Sequence, residues 1–228
     1  MNKKFKGFTL TEVLVTLAII GVVSALTVPT LMNTYQKKAY VTTLQKTTAE
    51  ISSAASLLMT DEGKLKVTGT SLYHGGTTQK DTAGKFLRDF FKVVTDCGSA
   101  ATPCFASSYS SISGSGTAAV VCTDGYAVTL ANGAAVCMKV PVNTVNPVTV
   151  FVDTNGTKGP NIAGRDFFMF YLYYDGSVDE GVTPDCRKDP SCSISTARAT
   201  LTSSCLTAKY PPTGCFARIL NDNWEMNY

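Results

Sequence analysis

The N-terminal stretch at residues 8–28 constrains this chain more than any other feature. It reads FTLTEVLVTLAIIGVVSALTV and contains one charged residue, Glu12. A helix that spans a bilayer needs about 20 mostly apolar residues, so this stretch is long enough to cross a membrane. Lys3, Lys4 and Lys6 precede it. By the positive-inside rule, these lysines predict a cytoplasmic N-terminus and an exported remainder.

The composition of the chain agrees with export. Its 228 residues carry 20 Lys and Arg against 17 Asp and Glu, and the three N-terminal lysines account for the whole excess of +3. Charge this weak and scattered does not make a basic face, so we predict no direct binding of nucleic acid. The eight cysteines form an even set, which is typical of disulfides made in an oxidising compartment.

Two interpretations of the apolar stretch are open at this point. Residues 23–25 (VSA) suit a signal peptidase, which would release a chain that begins at Leu26. However, apolar helical periodicity continues well beyond Pro29. A carboxylate such as Glu12 is also costly in a membrane helix and usually has a functional partner there. We therefore predict one long helix over residues 8–60, whose first half is the membrane stretch.

The sequence KGFTLTE at residues 6–12 carries a resemblance to a known family. A short basic leader, then Gly7 and Phe8, then Glu12 as the fifth residue after the glycine, resemble the processing motif of type IV prepilins. The resemblance extends over about the first fifty residues. It implies a leader at residues 1–7, cleavage after Gly7 by a prepilin peptidase, and methylation of the new Phe8 amine.

The resemblance also implies a mode of assembly. Gly21 and Pro29 match the helix-weakening Gly and Pro of the family, and the helix between them often loosens in assembled filaments. In a filament core, Glu12 would meet the ammonium group of Phe8 of a neighbouring subunit. Desolvation offsets much of the attraction in such a pair. The pair would therefore set the register of the helices more than it would stabilise them.

The second half of the long helix predicts a spine for a globular head. It combines an apolar stripe with a polar face, and Asp61-Glu62-Gly63 is a plausible end. A coiled coil is the alternative, and it would need more sustained heptads. We predict an α+β fold: a long N-terminal hydrophobic helix, 8–60 (8–28 transmembrane), with a disulfide-stapled head, 61–228, whose antiparallel sheet packs on the C-terminal half of the helix. This arrangement also resembles the pilin fold.

Composition and periodicity predict the elements of the head. Residues 61–81 and 106–117 are polar or Ser/Gly-rich and predict loops. Residues 82–94 predict an amphipathic helix. Strands are predicted at 118–122, 126–131, 134–140, 149–153 and 167–174. Asp124-Gly125 and Asn132-Gly133 predict tight hairpins of type I′, and Asp175-Gly176 follows the last strand.

The cysteines allow more than one pairing. Cys97 with Cys104, Cys186 with Cys192, and Cys205 with Cys215 are local pairs. The two predicted hairpins would place Cys122 and Cys137 on strands about 10 Å apart, which is too far for a disulfide. Either these two cysteines do not pair, or one hairpin prediction is wrong. Zinc is disfavoured because the chain has no Cys-x-x-Cys.

The loop at residues 153–166 is rich in glycine and in oxygen ligands. Asp153, Asn155, Asn161 and Asp166 could supply four side-chain oxygens to calcium, with a backbone carbonyl near Thr157. The loop does not follow the EF-hand pattern. It resembles loops in the heads of prepilin-like proteins, some of which bind calcium. The alternative interpretation is a tight turn in which Asn and Asp bond their own backbone.

The last segment, residues 179–228, predicts an irregular tail held by disulfides. It carries four of the cysteines and four prolines, and it ends in Trp224-Glu-Met-Asn-Tyr228. Trp224 and Tyr228 are predicted to cap the core, with a partner-binding patch as the alternative. His74 lies beside two glycines in a predicted loop, where a histidine is most often only solvated.

Three functions compete. An enzyme is disfavoured because the chain lacks common catalytic motifs. His74 is the one histidine, and the chain has no Gly-x-Ser-x-Gly, no His-Glu-x-x-His and no phosphate-binding glycine loop. The resemblance implies instead a minor pilin or pseudopilin of a type IV pilus, a type II secretion system or a related filament. Such a subunit would partner prepilin peptidase and other pilins, and it would pass from the bacterial inner membrane to a pilus or periplasmic pseudopilus. An adhesin at a filament tip, or another exported, membrane-anchored binding module, is the alternative.

Overall fold

The computed structural model describes residues 7–228. The contacts divide the chain into two compact units, one that reaches to Ala39 and one that runs from Tyr40 to Tyr228. In the first unit, the described chain is residues 7–9 followed by the start of helix α1, which spans Leu10–Asp61. Residues 1–6 of the predicted leader lie outside the described residues. The second unit contains the predicted head, 61–228, together with the part of the long helix from Tyr40 to Asp61.

Helix α1 spans Leu10–Asp61 without interruption and includes Pro29. It ends at Asp61-Glu62-Gly63, where the sequence predicts its end, and the end forms a Schellman motif. Gly63 adopts a left-handed φ of 62°, its N–H donates to the Thr60 carbonyl (3.1 Å), and the Lys64 N–H donates to the Met59 carbonyl (2.8 Å). By length and composition, α1 contains a stretch near the N-terminus that could cross a membrane, and nothing in the structure buries that stretch.

The head is built on the last turns of α1. The side chains of α1 that this unit buries recur at helical spacing: Val41, Leu44, Thr47, Thr48, Ile51, Ala54, Ala55 and Leu58. The apolar side chains among them form one core with the inner side of a sheet that includes Val136, Val150 and Phe170. The predicted α+β fold, with an antiparallel sheet on the C-terminal half of the long helix, is confirmed.

The main sheet has six antiparallel strands among the described residues: β1 Val93–Gly98, β4 Tyr126–Leu130, β5 Ala135–Lys139, β6 Val148–Asp153, β7 Phe167–Leu172 and β8 Val178–Asp179. They lie side by side in the order β1-β4-β5-β6-β7-β8. Strands β2 (Tyr109–Ser110) and β3 (Thr117–Ala118) form a separate pair. A second apolar cluster, around Phe105, Tyr109, Phe151 and Phe167, packs on the other side of the main sheet.

The turn at Asn132-Gly133 joins β4 to β5, as predicted, but its type differs. Gly133 has a φ of 88°, whereas the non-glycine residues with positive φ in residues 7–228 are Asn161, Asn223 and Trp224. A type I′ turn would need positive φ at Asn132 as well. The Gly133 N–H instead donates to the Leu130 carbonyl (2.9 Å), which gives a type I turn followed by a left-handed glycine.

The predicted strand at 118–122 and its hairpin at Asp124-Gly125 are wrong. The strand β3 stops at Ala118, and Cys122 lies in non-strand chain that folds against β5. Gly125 is required here for a close approach, because a Cβ atom would lie 2.6 Å from the Met138 carbonyl oxygen. Since Cys122 is not held two strands away, its Cα lies 6.3 Å from that of Cys137 and the two are joined by a disulfide.

Three other predictions need correction. The helix expected at 82–94 is α3, Gln79–Phe90, and Val93 begins a strand. It ends early because Phe91 is extended (φ −125°, ψ 150°) while its ring still packs on the core. The loop expected at 61–81 contains a 3₁₀ turn, Val67–Gly69, and helix α2, Ser71–His74. The loop expected at 106–117 contains β2 and the first residue of β3.

The tail at 179–228 is helical where an irregular chain was predicted. It contains α4 (Pro184–Lys188), α5 (Ile194–Thr202) and α6 (Cys215–Asn221). The disulfide Cys186–Cys192 closes the turn after α4, and Cys205–Cys215 fastens the start of α6. Cys97–Cys104 tethers the end of β1. Within residues 7–228, no cysteine is free.

We expect the Cys122–Cys137 bridge to stabilise the head measurably. It closes a loop of 15 residues, so the variant Cys122→Ala/Cys137→Ala should lower the free energy of unfolding by about 3 kcal/mol. The matched control, Cys186→Ala/Cys192→Ala, opens a loop of 6 residues and should lose about 2 kcal/mol. Urea unfolding measures both values. If the variant Cys122→Ala/Cys137→Ala were as stable as the unmodified protein, the prediction would be contradicted.

Candidate functional site

The start of α1 carries the predicted processing and assembly residues. Gly7 is exposed, no atom lies near the position of a Cβ there, and Phe8 is 88% exposed. Thr9 and Glu12 form a capping box. The Glu12 carboxylate accepts from the Thr9 N–H and hydroxyl (both 2.8 Å), and the Glu12 N–H donates to the Thr9 hydroxyl oxygen (3.3 Å). The carboxylate therefore has a partner in the single chain.

The remainder of α1 in the first unit presents apolar side chains that the described chain leaves exposed. They are Leu10, Val13, Leu14, Val15, Leu17, Ile19, Ile20, Val22, Val23, Leu26, Val28, Leu31 and Met32. No atom approaches a Cβ built on Gly21, so that position is open on the helix surface. A surface this apolar has to be covered by lipid or by other protein, because its exposure to water is unfavourable.

The loop between β6 and β7 contains the four proposed calcium ligands. Asp153 is fully buried, and its carboxylate accepts from the Tyr109 hydroxyl and from the Asn155 N–H (3.0 Å). Asp166 is also fully buried, and it accepts from the N–H groups of Asn161 and Ile162 (both 2.7 Å). The alternative that the sequence allows, a tight turn in which Asp side chains accept from nearby backbone N–H groups, is therefore formed.

Burial perturbs both carboxyl groups in this loop. Desolvation raises the pKa of Asp153 to about 8, and the charge of Asp166 contributes to the rise. The hydrogen bonds that the Asp153 carboxylate accepts lower this pKa only in part. Desolvation raises the pKa of Asp166 to about 6, and the bonds from Ile162 and Asn161 lower it only in part. A cation would relieve both effects, since it favours ionised carboxylates.

Two amide oxygens of the same loop are buried without a hydrogen-bond partner. They are Asn155 Oδ1 and Asn161 Oδ1. The Asn155 amide nitrogen donates to the Gly159 carbonyl (3.0 Å), which fixes the orientation of that side chain. Calcium accepts amide oxygens of this kind, so the donor set fits it in part. Within residues 7–228, no three acidic, histidine or cysteine side chains cluster closely enough to hold a metal.

An adjacent acidic pair, Asp179 and Glu180, organises the tail and was missed in the sequence. Asp179 bridges Arg187 of α4 (2.6 Å) and Arg198 of α5 (2.5 Å). Glu180 accepts from the N–H groups of Gly214 (2.5 Å) and Ala217 (2.9 Å) at the start of α6. Both acids are fully buried. Nothing local predicts this arrangement, because the Glu180 partners lie 34 and 37 residues further along the chain.

The C-terminal aromatic residues contact the core, and His74 does not reach it. Trp224 packs edge-on to Phe216, with ring centroids 5.8 Å apart. The Tyr228 hydroxyl donates to the Gly164 carbonyl (2.7 Å), which ties the end of the chain to the loop between β6 and β7. His74 is exposed, and its Nε2 lies 3.0 Å from the Thr68 carbonyl oxygen.

Comparison with known proteins identifies the N-terminal segment. Residues 2–28 match the family described as the prokaryotic N-terminal methylation motif. The match supports the resemblance to the type IV pilin and pseudopilin family, and it points to a structural subunit and to processing by a prepilin peptidase. It does not extend into the head. Neither the curated proteins nor the solved structures yield a match.

The buried acids predict that the stability of the protein falls as the pH rises. Desolvation also raises the pKa of Glu180, to about 7. Because Asp153, Asp166 and Glu180 all have raised pKa values when folded, the folded state binds more protons than the unfolded state. Their contribution to stability is therefore complete below about pH 4 and is lost as the pH rises through the range of about 6 to 8.

We therefore expect the full chain in detergent to unfold at a lower urea concentration at pH 8 than at pH 5. Glu180→Gln and Asp153→Asn should each reduce that difference, since they remove a titrating carboxyl group. Asp189→Asn is the control, because Asp189 is exposed and bonds only to nearby Ser191. If the protein were as stable at pH 8 as at pH 5, or more stable, the raised pKa values of the buried acids would be contradicted.

Proposed function

We propose that this protein is a structural subunit, a minor pilin or pseudopilin, of a type IV pilus, a type II secretion system or a related filament. The observation that carries the proposal is the exposed apolar surface of α1 directly after the methylation motif. A chain that leaves such a helix uncovered needs a membrane before assembly and other helices afterwards. Both requirements are those of a prepilin.

Processing would begin at the accessible junction between Gly7 and Phe8. Prepilin peptidase would cleave this bond on the cytoplasmic side and leave a free Phe8 amine, which is then methylated. Methylation keeps the positive charge of the amine, so the new terminus remains a partner for a carboxylate. The short leader, with its three lysines, would hold the uncleaved N-terminus in the cytoplasm.

Assembly would bring the Phe8 ammonium of one subunit to Glu12 of its neighbour. The capping box with Thr9 gives the Glu12 carboxylate local hydrogen bonds while the subunit waits in the membrane. A neighbouring ammonium would add the opposite charge in a core that excludes water. A shifted helix would leave both charges without that partner, so the pair would select the register. Gly21 and Pro29 would let the helix loosen as it leaves the bilayer.

The head would stand outside the cytoplasm. Four disulfides within the described chain agree with this side of the inner membrane, because disulfides persist in oxidising compartments. The final location would be a pilus or a periplasmic pseudopilus, among other pilin or pseudopilin subunits. A tip adhesin would share the processing and the anchor, and would differ in its position along the filament.

The test compares variants of α1 in the native cells. Glu12→Ala should be cleaved and retained in the membrane, but the assembled fraction should fall at least about tenfold because the register contact is lost. Thr16→Val is the matched control, since the Thr16 hydroxyl bonds only to its own helix at the Val13 carbonyl. Filament assembly by Glu12→Ala at the control level would refute the role of Glu12.

Calcium binding at the loop between β6 and β7 stays a prediction. Asp153, Asn155, Asn161 and Asp166 would hold the ion through their side-chain oxygens, with a backbone carbonyl near Thr157. The observation that favours it is the pair of buried amide oxygens without a partner, beside two buried carboxylates. The ion would lower the cost of keeping Asp153 and Asp166 ionised.

We expect calcium to raise the thermal midpoint of unfolding at pH 8 and magnesium to have little effect. Asn155→Ala and Asn161→Gly should each weaken the response, and the glycine accommodates the positive φ of 55° at position 161. Asn227→Ala, near the C-terminus, is the control. A midpoint that calcium leaves unchanged would refute the site without affecting the proposed filament role.

A further inference from the structure

The loop between β6 and β7 contains an acceptor motif for N-linked glycosylation. Its first residues, 153–157, read DTNGT, and Asn155-Gly156-Thr157 is the one place in the sequence where an Asn is followed two residues later by Ser or Thr. Such motifs mark glycosylated surface loops of exported proteins. Bacterial glycosyl transferases of this class also require an acidic residue two positions before the Asn, and Asp153 meets that requirement.

The structure leaves this motif at the surface of the head. Residues 157–160 are exposed, and Asn155 is half-buried. The hydroxyl group of Thr157, which a transferase has to contact, therefore lies on the accessible side of the loop. Asn143 and Asn146, in the chain between β5 and β6, are also exposed, but neither is followed by Ser or Thr at the required position. They serve as internal controls.

A polar cleft of about 410 Å³ lies beside Asn155. Its walls include Thr95 of β1, Thr129 of β4, Asn132 of the turn from β4 to β5, and Lys158. Hydroxyl, amide and ammonium groups of this kind hydrogen-bond to the hydroxyl groups of a sugar. The volume lies in the range of about 300–1,000 Å³ that holds small organic ligands. The cleft therefore has both the size and the polar chemistry to receive a sugar attached to Asn155.

We propose that Asn155 is glycosylated on its side-chain nitrogen and that the first sugar of the glycan lies in this cleft. The donor would be an oligosaccharide linked to a polyprenyl diphosphate in the membrane. The proposal goes beyond the filament function. It requires the head to be exported, but it does not require the protein to assemble.

The transfer would exchange one hydrogen of Asn155 Nδ2 for a sugar. Nδ2 forms a bond to the first carbon of the sugar, and the bond from that carbon to the diphosphate oxygen breaks. The lipid diphosphate leaves with the electron pair, and a base of the transferase takes the proton. One hydrogen stays on Nδ2, which now donates to the Gly159 carbonyl (3.0 Å). Oδ1 is unchanged, so the oxygen predicted to bind calcium is kept.

The burial of Asp153 indicates when the transfer would occur. Its carboxylate is fully buried and accepts from the Tyr109 hydroxyl and the Asn155 N–H. A transferase cannot contact this acid once the head has folded. Tyr109 lies 44 residues before Asp153, so the acid stays accessible until these two segments meet. The transfer would therefore precede folding, while the chain is being exported.

The test is the mass of one peptide from the protein recovered from its native cells. Trypsin releases residues 140–158, which contain Asn143, Asn146 and Asn155. We expect this peptide to carry the mass of an oligosaccharide, and fragmentation that preserves the glycan should place it on Asn155 and on neither of the other two. A peptide of unmodified mass, or a glycan on a hydroxyl group instead, would overturn the proposal.

Variants in the same cells test the motif. Thr157→Ala and Asn155→Gln should lose the glycan, whereas Thr157→Ser should keep it because the hydroxyl group remains. Asn143→Gln is the matched control and should keep the glycan as well. Retention of the glycan by Thr157→Ala would refute recognition of this motif. The N-terminal peptide of the same digest reports prepilin processing, so failure of the glycan proposal is distinguishable from failure of the proposed function.

Discussion

The need to cover the apolar surface of α1 is the constraint on which the rest of this protein depends. From Phe8 to Met32 the chain exposes large apolar side chains that no other described residue covers. A membrane can cover them in a stored subunit, and other copies of the helix can cover them in a filament. The same helix continues as the spine of the head, where Leu44, Ile51 and Ala55 are fully buried. One helix therefore carries both the apolar surface that needs a cover and the side chains on which the head is built.

The head combines a conventional core with costly buried acids. Asp153 and Asp166 order the loop between β6 and β7, while Asp179 and Glu180 join three short tail helices to the sheet. Each acid is fully buried and hydrogen-bonded or ion-paired. Such groups contribute little net stability because desolvation offsets their attraction, but they leave few alternative arrangements. Two of the disulfides, Cys186–Cys192 and Cys205–Cys215, fasten the same tail.

The sequence predicts the parts of this fold that local patterns govern. In strands β4 to β7, apolar residues alternate with polar ones or form continuous runs, and turn residues separate the strands. In the second half of α1, apolar residues recur at helical spacing. Strand β1 was missed because Phe90, Phe91 and Val94 share a helical spacing, and only the extended backbone at Phe91 shows the break. The hairpin at Asp124-Gly125 failed because Gly125 serves a close approach to Met138. In the candidate sites, the processing motif is a continuous stretch of sequence and was predictable. The bond from Tyr109 to Asp153 was not, because these residues lie 44 positions apart in the chain.

We propose that the chain is a processed filament subunit whose mature N-terminus is a methylated phenylalanine. The most direct measurement is the intact mass and N-terminal sequence of the protein recovered from its native cells. The account predicts a chain that begins at N-methylated Phe8, with all eight cysteines oxidised. A chain that begins at Leu26, or one that still begins at Met1, would contradict prepilin processing and leave the head as a secreted or anchored binding domain.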